Sequence, residues 1–195
     1  MNDLTLNLAL TFQSAFAGAK KIYMSGFDTR GLTNGWQERG SWNVPAAGGN
    51  QPPSAVSVNP SSGTGSNQTF SFVFSDPNGV ADIVSAQVDI NATLVAASAC
   101  YLYYHRATNQ IWLMNDAGSS WLGPITLGSA GSLSNSQCSV NAGGSSASAS
   151  LNNLTLNLAL TFQPAFAGAK RTYLFGYDLG GLSSGWQVRG VWTVP

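Results

Sequence analysis

Leu4-Thr5-Leu6-Asn7-Leu8-Ala9-Leu10-Thr11-Phe12-Gln13 is read twice in this chain, returning letter for letter as residues 154–163. Large apolar side chains alternate with small or polar ones. That period of two predicts a strand with one face buried and one wet. The repetition spreads outward from this run. Ala15 to Lys20 returns as Ala165 to Lys170; Gly35-Trp36-Gln37, Arg39-Gly40, Trp42 and Val44-Pro45 return as Gly185-Trp186-Gln187, Arg189-Gly190, Trp192 and Val194-Pro195. Thirty of the 45 positions in residues 1–45 are identical in residues 151–195. In each copy a turn is expected over 14–18 and 164–168, and a second strand over 21–27 and 171–177. After a Gly-rich loop, a third is expected over 36–44 and 186–194. Each copy therefore predicts a three-strand β-meander. The 105 residues between the copies occur once. A compact domain has one slot for each of its strands, and an unpaired set seeks another chain.

Between the copies, residues 46–53 read as a Gly/Pro-rich linker. Short strands are expected over 55–58, 69–75, 85–91, 100–106, 110–115 and 136–141, with turn chemistry at Asp76-Pro77-Asn78-Gly79 and Asn115-Asp116-Ala117-Gly118. Residues 143–150 read as a small-residue loop. Short strands with frequent turns, and no long amphipathic helix, predict an all-β antiparallel sandwich over 54–195.

Composition narrows the partners. Charged residues are 8% of the chain and the net charge is zero, against about 25% charged in ordinary soluble domains. Neither nucleic acid nor an anionic membrane surface is an expected partner. Low charge leaves little repulsion between molecules and favours self-association. The apolar run over 8–19 imitates a secretory signal, but Asp3 precedes it without Lys or Arg and the same run recurs at 158–169. It reads as structure, and a signal, if the protein is secreted, is expected upstream or already removed. No stretch approaches the ~20 apolar residues of a membrane span.

Cys100 and Cys138 lack CxxC spacing and clustered His, which argues against a metal site. Two readings stand: a structural disulfide, favoured by the charge-poor, Ser/Gly-rich character of secreted proteins, and two buried free thiols.

Residues 54–195 resemble a family of Ig-like repeat domains in large secreted proteins of environmental bacteria, acidobacteria in particular. The resemblance rests on Asn59-Pro60-Ser61-Ser62-Gly63, Phe72-Val73-Phe74-Ser75-Asp76-Pro77-Asn78-Gly79, Ala99-Cys100-Tyr101-Leu102-Tyr103-Tyr104, Leu113-Met114-Asn115-Asp116-Ala117-Gly118 with Trp121, and the run from Gly185-Trp186-Gln187 to Pro195. It implies an immunoglobulin-like sandwich, a non-catalytic extracellular or cell-surface module, and a Cys100–Cys138 pair. The extra first copy is a departure from a lone domain of that kind.

His105, the single histidine, reads as a packing or surface residue rather than a general base. The acids show no spacing that marks a glycosidase pair, so no catalytic residues and no enzyme are expected. Asp76, Asn78 and Asp82 place oxygen ligands close together, and Asp28 or Asp178 lie in other loops. Turn formation explains the same residues, so no metal or cofactor is expected, with Ca2+ the minority reading. Trp121, with Tyr101 and Tyr103, is the candidate glycan contact, because flat aromatic faces stack on sugars. Asn67, Asn91 and Asn153 begin glycosylation sequons.

Three arrangements fit the duplication. Residues 1–45 reach into a neighbouring subunit; or they end a preceding domain in a longer array of period 150; or both meanders share one sandwich. The expected function is a structural subunit of an extracellular filament or surface stalk, a homopolymer joined head to tail by strand complementation. Leu4, Leu6, Leu8, Leu10 and Phe12 form the inserting face, with Trp36 and Trp42 as anchors. The alternative is a monomeric carbohydrate-binding or adhesive module.

Overall fold

The computed structural model describes residues 3–12, 16–44 and 48–195. The turn expected from residue 14 and the start of the expected linker, residues 46 and 47, lie outside the described residues. The chain divides into two compact units, Met1–Gly49 and Asn50–Pro195.

In the first unit, β1 (Gly18–Met24) and β2 (Gln37–Val44) form an antiparallel hairpin. Residues 3–12 form no strand. The strand expected over 4–12 is therefore corrected: strand pairing is a long-range bargain between segments, and this one has no ladder partner among the described residues.

The second unit is an antiparallel β-sandwich. Its strands are β3 (Ser54–Asn59), β4 (Asn67–Ser75), β5 (Ile83–Asn91), β6 (Cys100–His105), β7 (Gln110–Met114), β8 (Trp121–Thr126), β9 (Ser132–Ser134), β10 (Cys138–Ser150), β11 (Asn153–Phe162), β12 (Gly168–Asp178) and β13 (Gln187–Val194). One sheet has the order β3-β4-β11-β10-β9 and the other β13-β12-β5-β6-β7-β8. The alternation in sequence sets the core between them. Phe70, Phe72 and Phe74 of β4 and Leu154, Leu156, Leu158 and Leu160 of β11 are buried from one sheet. Val88, Ile90, Leu102, Ile111, Leu113 and Leu174 are buried from the other. A Cys100–Cys138 disulfide joins β6 to β10 across the sandwich. Its loop of 38 residues stabilises by about 4 kcal/mol in the chain-entropy model, and such bonds form in oxidising compartments.

Several expectations change. The second copy is not one meander: β11 lies in the first sheet, while β12 and β13 lie in the second. Residues 143–150 are strand, not loop, because β10 continues along β11 through a register shift between Asn141 and Ser146. β8 and β9 were not expected, and Trp121 opens β8 rather than sitting in a loop. The end of the linker belongs to the sandwich: Asn50 Nδ2 donates to Asp178, the Gln51 N–H donates to Asn78 Oδ1, and Pro53 is buried. Neither sandwich sheet contains a strand from the described part of residues 1–45, so the shared-sandwich arrangement is not the one found.

Candidate assembly surface

The two copies separate what short sequence dictates from what partners supply. The hairpin is local. Gly18 to Met24 pair with Val44 to Gln37 in the register that joins Gly168 to Leu174 with Val194 to Gln187. The same irregularity falls between Ile22 and Tyr23 and between Thr172 and Tyr173. The loops match too. The Asp28 N–H donates to Leu32 O and Asp178 to Leu182 O, while Lys20 and Lys170 lie 4.5 and 4.3 Å over the Phe16 and Phe166 rings.

The strand is not local. In the second copy β11 runs between β4 and β10, paired along both edges. β12 pairs with β5 as well as with β13. The outer edge of β13 is covered by residues 61–65: the Val191 and Thr193 N–H groups donate to Ser61 O and Gly63 O, and Trp192 Nε1 donates to Gly65 O at 2.8 Å. Apart from β13, each of these partners belongs to residues 50–150, a frame present once. The first copy has the side chains without the frame. Leu4 is 86% exposed where Leu154 is 1%, and Trp42 is 58% exposed where Trp192 is 5%. Leu6, Leu8, Leu10, Phe12 and Trp36 are likewise exposed. Of the positions buried in residues 151–195, only two differ between the copies: Thr172 is Ile22 and Leu174 is Met24, apolar in both cases. The first copy thus keeps, exposed, most of the side chains that form a core face in the second.

The candidate glycan residues fall in one place. Phe175, Trp186, Tyr101, Trp121, Tyr103 and Trp112 form a ladder of neighbouring rings, 5.0–5.7 Å between centroids. Successive rings are tilted or edge to face, with interplanar angles of 38–65°, unlike a coplanar sugar platform. Trp121 is 38% exposed. The Tyr101 hydroxyl donates to Gln87, and burial, with Asp89 adding, pushes it up to about 12. Asp89 was missed in the sequence. It sits under a cavity of about 210 Å³ lined by Leu94, Val95, Ala96, Tyr101 and Trp186, and burial pushes its carboxyl up to about 7. Its neighbours on the same face of β5, Ser85, Gln87 and Asn91, are polar as well, so alternation alone gave no signal that this acid would be buried. His105 Nδ1 lies 3.1 Å from Thr108 Oγ1.

Of the candidate calcium ligands, the carboxylates of Asp76 and Asp82 meet, while Asn78 Oδ1 accepts the Gln51 N–H. Asp178 joins the two carboxylates. Burial pushes the Asp76 carboxyl up, the Asn78 N–H pulls it down, and Asp82 and Asp178 push it up further.

Compared with known proteins, the chain matches no family model and no curated sequence. No helix among the described residues is long and apolar enough to cross a membrane.

Proposed function

We propose that this chain is a structural module of an extracellular filament or surface stalk. Residues 1–45 complete, by β-strand complementation, a frame like residues 50–150 contributed by the neighbouring module. One observation carries the reading: Leu4, Leu6, Leu8, Leu10 and Trp42 are exposed, while their counterparts Leu154, Leu156, Leu158, Leu160 and Trp192 are buried. The frame in this chain is filled by its own second copy and holds one, so the partner frame must be vacant. Backbone ladders on both edges would fix register, and alternate side chains would fill the partner's core. Such a contact is heterologous and need not close into a ring, so modules that each offer a vacant frame would extend into an open fibre. The same burial results whether the preceding frame lies in another subunit or earlier in one polypeptide. The resemblance to Ig-like repeat domains of secreted bacterial proteins supports this reading, and so does the oxidised cysteine pair.

The test is a chain carrying a further copy of residues 46–150 ahead of residue 1, compared with the chain as it stands by hydrogen exchange and electron microscopy. Amides of residues 4–12 should become as protected as those of 154–162, and the particle should lengthen to two sandwiches in a row. Fast exchange over 4–12 in the extended chain would refute complementation. Glycan binding at the Trp121 end of the aromatic ladder is a second reading, favoured by that ring's exposure and weakened by the tilt of its neighbours.

A further inference from the structure

Three carboxylates converge where the repeat meets the frame. Asp76 follows β4, Asp82 ends the 3-10 turn Val80–Asp82 that leads into β5, and Asp178 ends β12. One oxygen from each lies within 4.8 Å of the others. Asp76 and Asp178 are 0% exposed and Asp82 is half-buried.

Their hydrogen bonds hold the group in place without neutralising it. Asp76 Oδ1 accepts the Asn78 N–H at 2.8 Å. Asp178 accepts the Leu182 N–H at 2.7 Å and Asn50 Nδ2 at 2.9 Å. The backbone ties the two sides together, with the Leu179 N–H donating to Asp82 O at 2.8 Å. Among the described residues no ion pair reaches these three carboxylates; the Arg106 guanidinium is committed to Ala81 O and Ile83 O, the carbonyls on either side of Asp82. Asp76 Oδ2 is buried and has no hydrogen-bond partner among the described residues. An orphaned carboxylate oxygen, fully buried beside two further carboxylates, is a group whose missing partner is positive.

We propose that Asp76, Asp82 and Asp178 bind one divalent cation, Ca2+ in preference to Mg2+, and that the ion pins the end of β12 to the β4–β5 connection. The donors are all hard oxygens, with neither His nor Cys. Oxygens on a Ca2+ shell of 2.3–2.6 Å radius lie at most about 5 Å apart, and the remaining positions go to water or carbonyls. Mg2+ demands a smaller and more regular octahedron than two loops and a strand end offer. The site lies wholly within residues 50–195, so it stands or falls independently of the assembly reading. Asp178 is the repeat's contribution; its twin Asp28, exposed and accepting the Arg30 and Leu32 N–H groups, lacks the other two.

The experiment is calorimetric titration of the full chain, stripped of metal with chelator, with CaCl2 and separately with MgCl2, alongside thermal unfolding in each. One Ca2+ should bind per chain, with a dissociation constant in the range of extracellular modules, about 1 mM or tighter, and the unfolding temperature should rise. Asp82→Asn and Asp178→Asn should each weaken binding about tenfold or more, while Asp28→Asn leaves stoichiometry and affinity unchanged. Asp82 is half-buried, so its variant keeps the test decisive if Asp178→Asn does not fold. Absence of binding and of any thermal shift up to about 10 mM Ca2+ overturns the site, as does wild-type affinity in Asp82→Asn. Equal affinity for Mg2+ overturns the preference for calcium.

Discussion

Leu156 and Leu6 are the same residue in the same ten-residue sequence, and they should respond oppositely to truncation. Leu156 is 0% exposed between β4 and β10, whereas Leu6 is 69% exposed. Leu156→Ala removes core side-chain volume, which costs about 2–5 kcal/mol. For a unit of this size that lowers the unfolding temperature by roughly 4–20 °C. Leu6→Ala in the chain as it stands removes little buried contact and should stay within about 0.5 kcal/mol, or roughly 2 °C. In the chain extended by a further copy of residues 46–150, Leu6 gains the walls that Leu156 has, and Leu6→Ala should then cost the same 2–5 kcal/mol or so. Thermal unfolding followed by circular dichroism reads all four cases. If Leu6→Ala destabilises the unextended chain as much as Leu156→Ala does, the first copy already occupies a core. If it remains silent in the extended chain, the supplied frame is not its partner.

The Asp89 carboxyl, pushed up to about 7 by burial, is protonated in the fold and ionised in the unfolded chain between pH ~4 and ~7. Stability therefore falls as pH rises through that window and levels off above it, by a total on the order of 4 kcal/mol from this group. Asp89→Asn should remove that slope, so urea unfolding of variant and wild type should diverge between pH ~4 and ~8; parallel curves would contradict it. Gly190→Ala should destabilise the sandwich, because an added Cβ would lie 2.8 Å from Val58 and 2.9 Å from Ser61 O, whereas Gly40→Ala meets only Ile22 at 3.7 Å. Equal unfolding temperatures for those two variants would show that the approach of β13 to residues 58–61 is loose.

Alternation was enough to place β4, β5, β6 and β11, and the Gly-rich punctuation marked both hairpin loops. What stayed hidden was the destination of each strand. Residues 4–12 and 154–162 carry one pattern, yet only the second is paired, because pairing depends on β4 and β10 and not on the letters of the strand itself. β10 was read short because Gly143 to Ser150 has strand-poor composition, and the neighbouring β11 holds it extended. Asp178 was read as an acid of a separate loop, interchangeable with Asp28. Its meeting with Asp76 and Asp82 needs β12 beside β5, a placement made by the sheet order.

The Cys100–Cys138 bond has a mechanical consequence. It links β6 to β10, and both strands belong to the frame. Tension that peels residues 151–195 from the frame breaks the ladders on β11 and β12 while the two sheets stay tethered. The 38-residue loop withholds about 130 Å of contour length that a reduced chain would release. With the bond intact, pulling residues 151–195 away leaves the frame's two sheets joined as a site to which they can return; with it reduced, the frame can unravel.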